Sequence, residues 1–419
     1  MKRLRLLQNS SLLLPLLCLS AFATVASAAD WPQWRGPQRD NVCTESGLLQ
    51  QWPEGGPKLG WTASGLGAGY AGVAVVGESI YTLGDGAEGC FVRALEAGTG
   101  KIVWSARIGK SGGGGGFPGP RCTPTVVGTR LVVLGQFGDL VCLETAGGKE
   151  AWRHNLKDNF GGKMMSGWGY AESPLVDGNT VICTPGGEQG TLAALDLATG
   201  KLAWRSKDWQ DSAAYCSMIV ATIGGVRQYV QFTGNSVAGV AADGSLLWRG
   251  PRTGKTAVIP TPIFADDHVF VTSGYDIGCN LFKVSSAGGK FSAEQVYDNK
   301  TMVTQLGGVV KVGAHIYGYS DKKGWTCQEF LTGKQVWQEN SRLGKGSILA
   351  VGGQLILRAE KDKGTVVLIQ ASPEGWQEKG RFDQPERSEK NSWPPPVIAN
   401  GKLYLRDQDR LLSYEVKSR

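Results

Sequence analysis

Histidine is almost missing from this 419-residue chain, which has only His154, His268 and His315. Each lies in or beside an apolar repeat, so no histidine pair offers itself as a metal site, and a serine nucleophile would have no evident base. No two cysteines are adjacent or spaced Cys-x-x-Cys, which removes the usual sequence signs of a redox couple or a zinc site. Charge is scarce at 19% of residues, and no basic run occurs. Three of the seven excess positive charges are Lys2, Arg3 and Arg5, near the start, so nucleic acid is not an expected partner. Helical periodicity with caps is lacking almost everywhere. Gly112–Gly116 is glycine-rich, but no Gly-Lys-Ser/Thr follows it, and a flexible surface loop is expected there.

Long apolar runs are also lacking, with one exception. Leu12–Val25 follows Lys2, Arg3 and Arg5 and precedes Ala26, Ser27 and Ala28, the layout of a cleavable export signal. Pro15 interrupts this run, which falls short of the roughly 20 residues that span a bilayer. Leu17 precedes Cys18 where a lipid-attachment signal wants a small residue. The expectation is a leader over 1–28, cleavage after Ala28, and a soluble periplasmic or secreted chain over 29–419 with no membrane span. Eight cysteines then remain, from Cys43 to Cys327. Some could form disulfides in an exported protein, or all could be small buried hydrophobes.

What is abundant is glycine, at 61 residues, and tryptophan, at 14. Eight segments repeat an apolar strand, a Gly, Asn or Asp turn and a second apolar strand: VVGESIYTL from Val75, VVGTRLVVL from Val126, LVDGNTVIC from Leu175, ATIGGVRQYV from Ala221, FADDHVFV from Phe264, KVGAHIYGY from Lys311, AVGGQLILR from Ala350 and IANGKLYLR from Ile398. They recur about every 40 to 50 residues, the period of a four-stranded propeller blade. The spacing predicts an all-β, eight-bladed β-propeller over 29–419, a single domain.

A second repeated element ends in tryptophan, as in ALDLATGKLAW from Ala194 to Trp204. It places Trp61, Trp104, Trp152, Trp204, Trp248 and Trp337 as blade-docking residues. Each has a glycine for the turn, and in the fullest copies a small residue ten positions earlier leaves room for the indole. The fifth and seventh repeats are degenerate: the expected tryptophan falls at Ala293, and Trp376 is out of register. The last hairpin runs into LLSYEV without its own tryptophan strand. The strand around Trp61 is therefore expected to complete that blade and close the ring.

These repeats resemble the pyrroloquinoline-quinone-type propeller repeat of quinoprotein dehydrogenases and of the outer-membrane-assembly propeller lipoprotein. DWPQWRGPQRDN (30–41), GWGYAESPLVDG (167–178) and YLRDQD (404–409) are similar to exported bacterial propellers known as pyrroloquinoline-quinone-binding-like, over nearly the whole mature chain. An enzyme reading of that resemblance implies a quinone on the axis, a calcium ion, a catalytic aspartate and a vicinal disulfide. The chain has no Cys-Cys pair and is shorter than such enzymes. Asp407 and Asp409 alternate faces on one strand and read as a solvated edge. Where many members of that family carry histidines before the Gly-Gly of blade six, this sequence has Thr304, Gln305 and Leu306.

The fold implies one place for a site. Residues just before each first strand converge on one mouth of the channel: Tyr70, Arg121, Tyr170, Glu172 and Tyr215, then Thr261, Gln305, Lys345 and Trp393. Aromatic groups with a few charges suit a polar ligand or a peptide loop. The expected function is a non-catalytic binding or scaffolding protein of the cell envelope, monomeric and without a cofactor. Its partner would be an envelope protein or a small polar ligand. Two alternatives stand beside it: a quinone- and calcium-dependent alcohol dehydrogenase, and a carbohydrate-binding propeller using exposed Trp31, Trp34 and Trp168.

Overall fold

The repeated turns close hairpins, and the hairpins stack in pairs into antiparallel sheets. In the computed structural model, which describes residues 29–418, eight such sheets form an eight-bladed propeller. The expected leader lies outside the described residues. Blades 1 to 7 span 74–109, 125–155, 175–205, 219–251, 263–299, 309–339 and 346–382. Blade 8 takes three strands from 397–415, and its outermost strand is Lys58–Ala63, which pairs antiparallel with Arg410–Glu415. The ring is closed by an N-terminal strand, as Trp61 indicated.

The tryptophan repeat works as an interlock. Each outer strand carries a bulge that sets the indole opposite a small residue of its own sheet: Trp104 faces Ala94, Trp152 faces Cys142, Trp204 faces Ala194 and Trp337 faces Cys327. Trp248 faces Gly239, and Trp61 faces Ser413. In four of the six, the indole N–H then donates to the next blade: Trp61 to Ala97 (3.2 Å), Trp104 to Thr145 (3.1 Å), Trp152 to Leu197 (2.8 Å) and Trp337 to Ser372 (2.8 Å). Trp248 instead donates to Gln228 of its own blade. Where the next blade turns against the indole it uses glycine: Gly100 lies against Trp61, Gly148 against Trp104 and Gly244 against Trp204.

The two degenerate blades solve the same problem differently. In blade 5 the outer hairpin has ten-residue arms, Gly278–Ala287 and Lys290–Asn299, so counting from a short turn lands on Ala293. The bulge actually brings Tyr297 opposite Leu281, and its hydroxyl donates to the Phe330 carbonyl at 2.8 Å, in place of an indole. In blade 7 the equivalent position is Gly380, opposite Leu368. Trp52, from outside the sheet, fills the space: its amide donates to Lys379 (2.9 Å), and a β-carbon on Gly380 would stand 2.6 Å from its own. Trp376 only reaches Glu378, at 3.2 Å. All eight described cysteines are free and buried, so small-hydrophobe packing accounts for them.

Residues 30–43, the DWPQWRGPQRDN segment and its end, form a plug on the propeller axis. Asp30 accepts from the Gly77 amide beside the blade 1 hairpin turn, and Trp31 bridges Val75. The segment then crosses towards the opposite mouth, where the Trp34 indole donates to Thr261 Oγ1 at 2.9 Å. Arg39 donates to the carbonyls of Met218 (2.7 Å) and Ser173 (2.7 Å), and the Asn41 amide donates to Ile348. Val42–Cys43 returns as a fifth strand, parallel to Gly346–Val351 of blade 7. The plug thus satisfies innermost-strand carbonyls that closure of the ring alone leaves unpaired. Trp31 is buried within it, which corrects the expectation that this ring is exposed.

Candidate functional site: a cup at one channel mouth

Because the plug fills the axis, the mouth on the lead-in side is a blind cup of about 330 Å³. Every blade contributes to its wall. Tyr70 comes from the lead to blade 1, Phe117 and Arg121 from blade 2, Trp168 from blade 3 and Tyr215 from blade 4. Thr261, Gln305, Glu360 and Trp393 continue the ring through blades 5 to 8. Trp34 and Arg35 of the plug form the floor. A larger hollow of about 440 Å³ lies on the far face, under residues 43–52, but it gathers only blades 7 and 8.

One side of the wall is an aromatic stack. The Trp393 and Tyr70 rings lie 3.9 Å apart at 24°, and Phe117 packs on Trp393 at 5.0 Å. The Arg121 guanidinium sits 5.7 Å from the Tyr70 ring. It donates to the Phe117 carbonyl (2.6 Å) and the Trp168 carbonyl (3.2 Å), tying together the loops before blades 2 and 3. The glycine-rich segment is therefore anchored: Gly112 donates to Asp85 at 2.7 Å and accepts from Gln136 at 3.1 Å. It serves to hold Phe117 over the stack.

Charge in the cup is poorly compensated. Arg35 is 2% exposed, and its Nη2 donates to the carbonyls of Asp40 (2.9 Å) and Val309 (2.5 Å), while its Nε has no partner. Burial lowers its pKa to about 10, a cost that the Asp40 charge only partly offsets. Glu360 is 7% exposed, one of its oxygens lacks a partner, and burial raises its pKa. Burial lowers the pKa of Arg121 as well. Buried charges with unpartnered atoms are costly, and Arg35 and Glu360 are two such groups in the wall and floor of one cup.

Of the residues expected at the mouth, Tyr70, Arg121, Tyr215, Thr261, Gln305 and Trp393 line the cup. Tyr170 and Glu172 do not. Extended backbone alternates faces, and Ala171 is the residue turned to the cup. Tyr170 is buried and donates to Pro185 at 3.0 Å. Glu172 is buried deeper, accepting from the Thr184 amide (2.5 Å) and hydroxyl (2.7 Å). Burial pushes its pKa up to about 7. Lys345 stands beside the cup, bound to Gln305 (2.5 Å) and Asp321 (2.8 Å). Asp407 is no solvated edge: it is buried, 2.5 Å from Arg387, and also accepts from Ser388 and Gln384. Asp409 does lie at an exposed edge, accepting from the Gly65 and Gly67 amides.

Sequence reasoning missed Arg35, Glu360, Phe117 and the role of Trp34. The signal for two of them was present, since DWPQWRGPQRDN is too rich in arginine, tryptophan and proline for an ordinary linker. No lead-in position announced Glu360, which follows a second strand of blade 7.

Over residues 89–338 the chain matches the family model described as outer membrane protein assembly factor BamB. Among solved structures, BamB from Moraxella catarrhalis is similar with a TM-score of 0.59 and 13% identity, covering 85% of this chain and 97% of that one. The quinohemoprotein alcohol dehydrogenase from Comamonas testosteroni is similar with a TM-score of 0.64 and 12% identity, covering 93% and 80%. At these identities the likeness is one of fold. The serine/threonine-protein kinase AfsK of Streptomyces griseus is 30% identical over 168 residues, 39% of this chain. The matched stretch is 19% of the kinase's length.

Proposed function

Because the chain belongs to the family of the outer membrane protein assembly factor BamB, we propose that it is an exported, non-catalytic propeller of the cell envelope that holds a ligand or a partner segment in the cup. The observation that carries this reading is the cup itself. Seven lead-ins and the end of the second strand of blade 7 deliver aromatic and charged groups to one concavity, and the plug stops the channel behind them. Stacked Trp393 and Tyr70 offer flat contact area at little entropic cost, and Arg121 adds fixed donors.

A calcium-held quinone does not fit these residues. Calcium takes about six to eight oxygen ligands. Glu360 is the only carboxylate that lines the cup among the described residues, and the Asp407 oxygens are committed to Arg387, Ser388 and Gln384. Trp34 and Arg35 occupy the axis on which a flat cofactor would lie.

The test is a photo-crosslinking residue placed either at Tyr275, on the rim, or at Val103, exposed on the outer strand of blade 1. Adducts from position 275 that are lost with Trp393→Ala support the reading. Adducts only from position 103 place the contact on a blade edge and overturn it.

A further inference from the structure

The plug carries two guanidinium groups, Arg35 and Arg39, into the propeller axis. Arg39 is saturated by carbonyls and lies near Glu172. Neither guanidinium has a carboxylate within ion-pair distance among the described residues, but Arg35 differs in leaving its Nε without a partner and in lining the floor of a cavity open to solvent. Its backbone also stands in the left-handed region, with φ 60°, a conformation that a non-glycine residue holds only at some cost. The neighbouring blade 6 turn makes room for it, since a β-carbon on Gly308 would lie 2.5 Å from Arg35 Nη1. A side chain at 308 would push this guanidinium aside, and the φ of 69° there independently favours glycine.

A buried cation with no ion-pair partner, whose burial cost the Asp40 charge only partly offsets, favours an incoming anion, and a guanidinium matches the two oxygens of a carboxylate. The walls above it are aromatic: Trp34, Tyr70, Trp168, Tyr215 and Trp393. A cavity of about 330 Å³ suits a small ring-bearing molecule. Glu360 would repel an anion at the blade 7 side, Arg121 already donates to the Phe117 and Trp168 carbonyls, and Lys361 is an exposed rim cation, so the buried Arg35 floor is the seat of the charge.

We propose that the floor of the cup is an anion subsite in which Arg35 pairs with the carboxylate of a small organic acid whose ring stacks on the aromatic wall. This rests on the reading of the cup as a binding site. Aromatic acids and acidic sugars share that chemistry, and the probes separate them. Benzoate with its neutral twin benzamide, and glucuronate with glucose, are titrated into the full protein by calorimetry and tryptophan fluorescence. At least one acid is expected to saturate the cup at least about tenfold more tightly than its neutral twin, with binding that weakens as salt rises. Arg35→Gln is expected to abolish that preference. Because Arg35 also holds the plug, this variant could misfold, and then the twin comparison and the salt series in the unaltered protein decide alone. Equal binding of acid and twin, or no saturation by either acid, overturns the anion subsite. Crosslinks from position 275 would survive that failure if the cup holds a different ligand, so the two readings fall separately.

Discussion

A β-carbon on Gly200 would stand 2.8 Å from the indole of Trp152, well inside contact distance. The turn of blade 3 and the outer strand of blade 2 therefore fit only with glycine at 200. Its φ of 71° independently favours glycine. Trp152→Ala is expected to cost about 3–5 kcal/mol, the range for emptying a buried aromatic site. Gly200→Ala is expected to cost about 1–3 kcal/mol in the intact protein and measurably less once Trp152 is alanine. Urea denaturation of the double-mutant cycle checks this, and strictly additive costs would show that the two residues do not interlock.

Removing residues 29–64 takes away the plug, Trp52 and the outer strand of blade 8 together. The exposed edge at Arg410–Glu415 should then drive oligomerisation or unfolding. Size-exclusion chromatography with light scattering reads the result. A monomer that melts like the parent would refute closure by the N-terminal strand.

Glu172 titrates against stability in a defined direction. Its pKa is raised from 4.5 to about 7 by burial, so the native protein keeps a proton that the unfolded chain releases. Its penalty is absent below about pH 4.5, grows between about pH 4.5 and pH 7, and is complete above that. Relative to Glu172→Gln, the parent is expected to lose on the order of 2–3 kcal/mol across that window. Melting curves of both proteins at pH 4.5, 6 and 8 would test it, and a constant difference would count against the assignment.

Asp407 sits among Arg358, Arg387 and Arg406, and burial opposes its charge while Arg387 and Ser388 hold its pKa below the usual value. Asp407→Asn should destabilise by about 3–5 kcal/mol, because buried guanidinium groups lose their counter-ion. Denaturant midpoints measure the cost. A loss below about 1 kcal/mol would mean that the arginines are sustained by carbonyls alone.

The ring was legible because its signals are local. A hairpin turn, a small residue and a tryptophan lie within about a dozen positions of each other, so Trp104 or Trp152 can be placed without knowing what they touch. Trp61 as the closing strand followed from a deficit in the last repeat. Tyr297 and Trp52 were not legible in the same way, since one follows an elongated hairpin and the other fills its blade from a distant segment. The cup was half legible. Convergence picked out Tyr70, Arg121 and Trp393, but whether residue 170 or 171 turns to the axis depends on a pleat that composition does not reveal. Arg35 escaped because the blade 6 carbonyl that fixes it, Val309, lies far along the chain.

That last distance bears on how the molecule assembles. Arg35 bonds to Val309 and Asn41 to Ile348, across 274 and 307 residues. Trp31 and Arg39 can already hold blades 1, 3 and 4, but Arg35 and Asn41 must wait for blades 6 and 7 before their carbonyls exist, and contacts of such long span form slowly. Blades can zip against their neighbours in order, each indole finding the next turn. The axis remains open during that time, and the cup acquires its floor only when the pin is seated. A refolding experiment that follows Trp34 separately from the interlocking tryptophans should therefore resolve two phases, with Trp34 in the slower one.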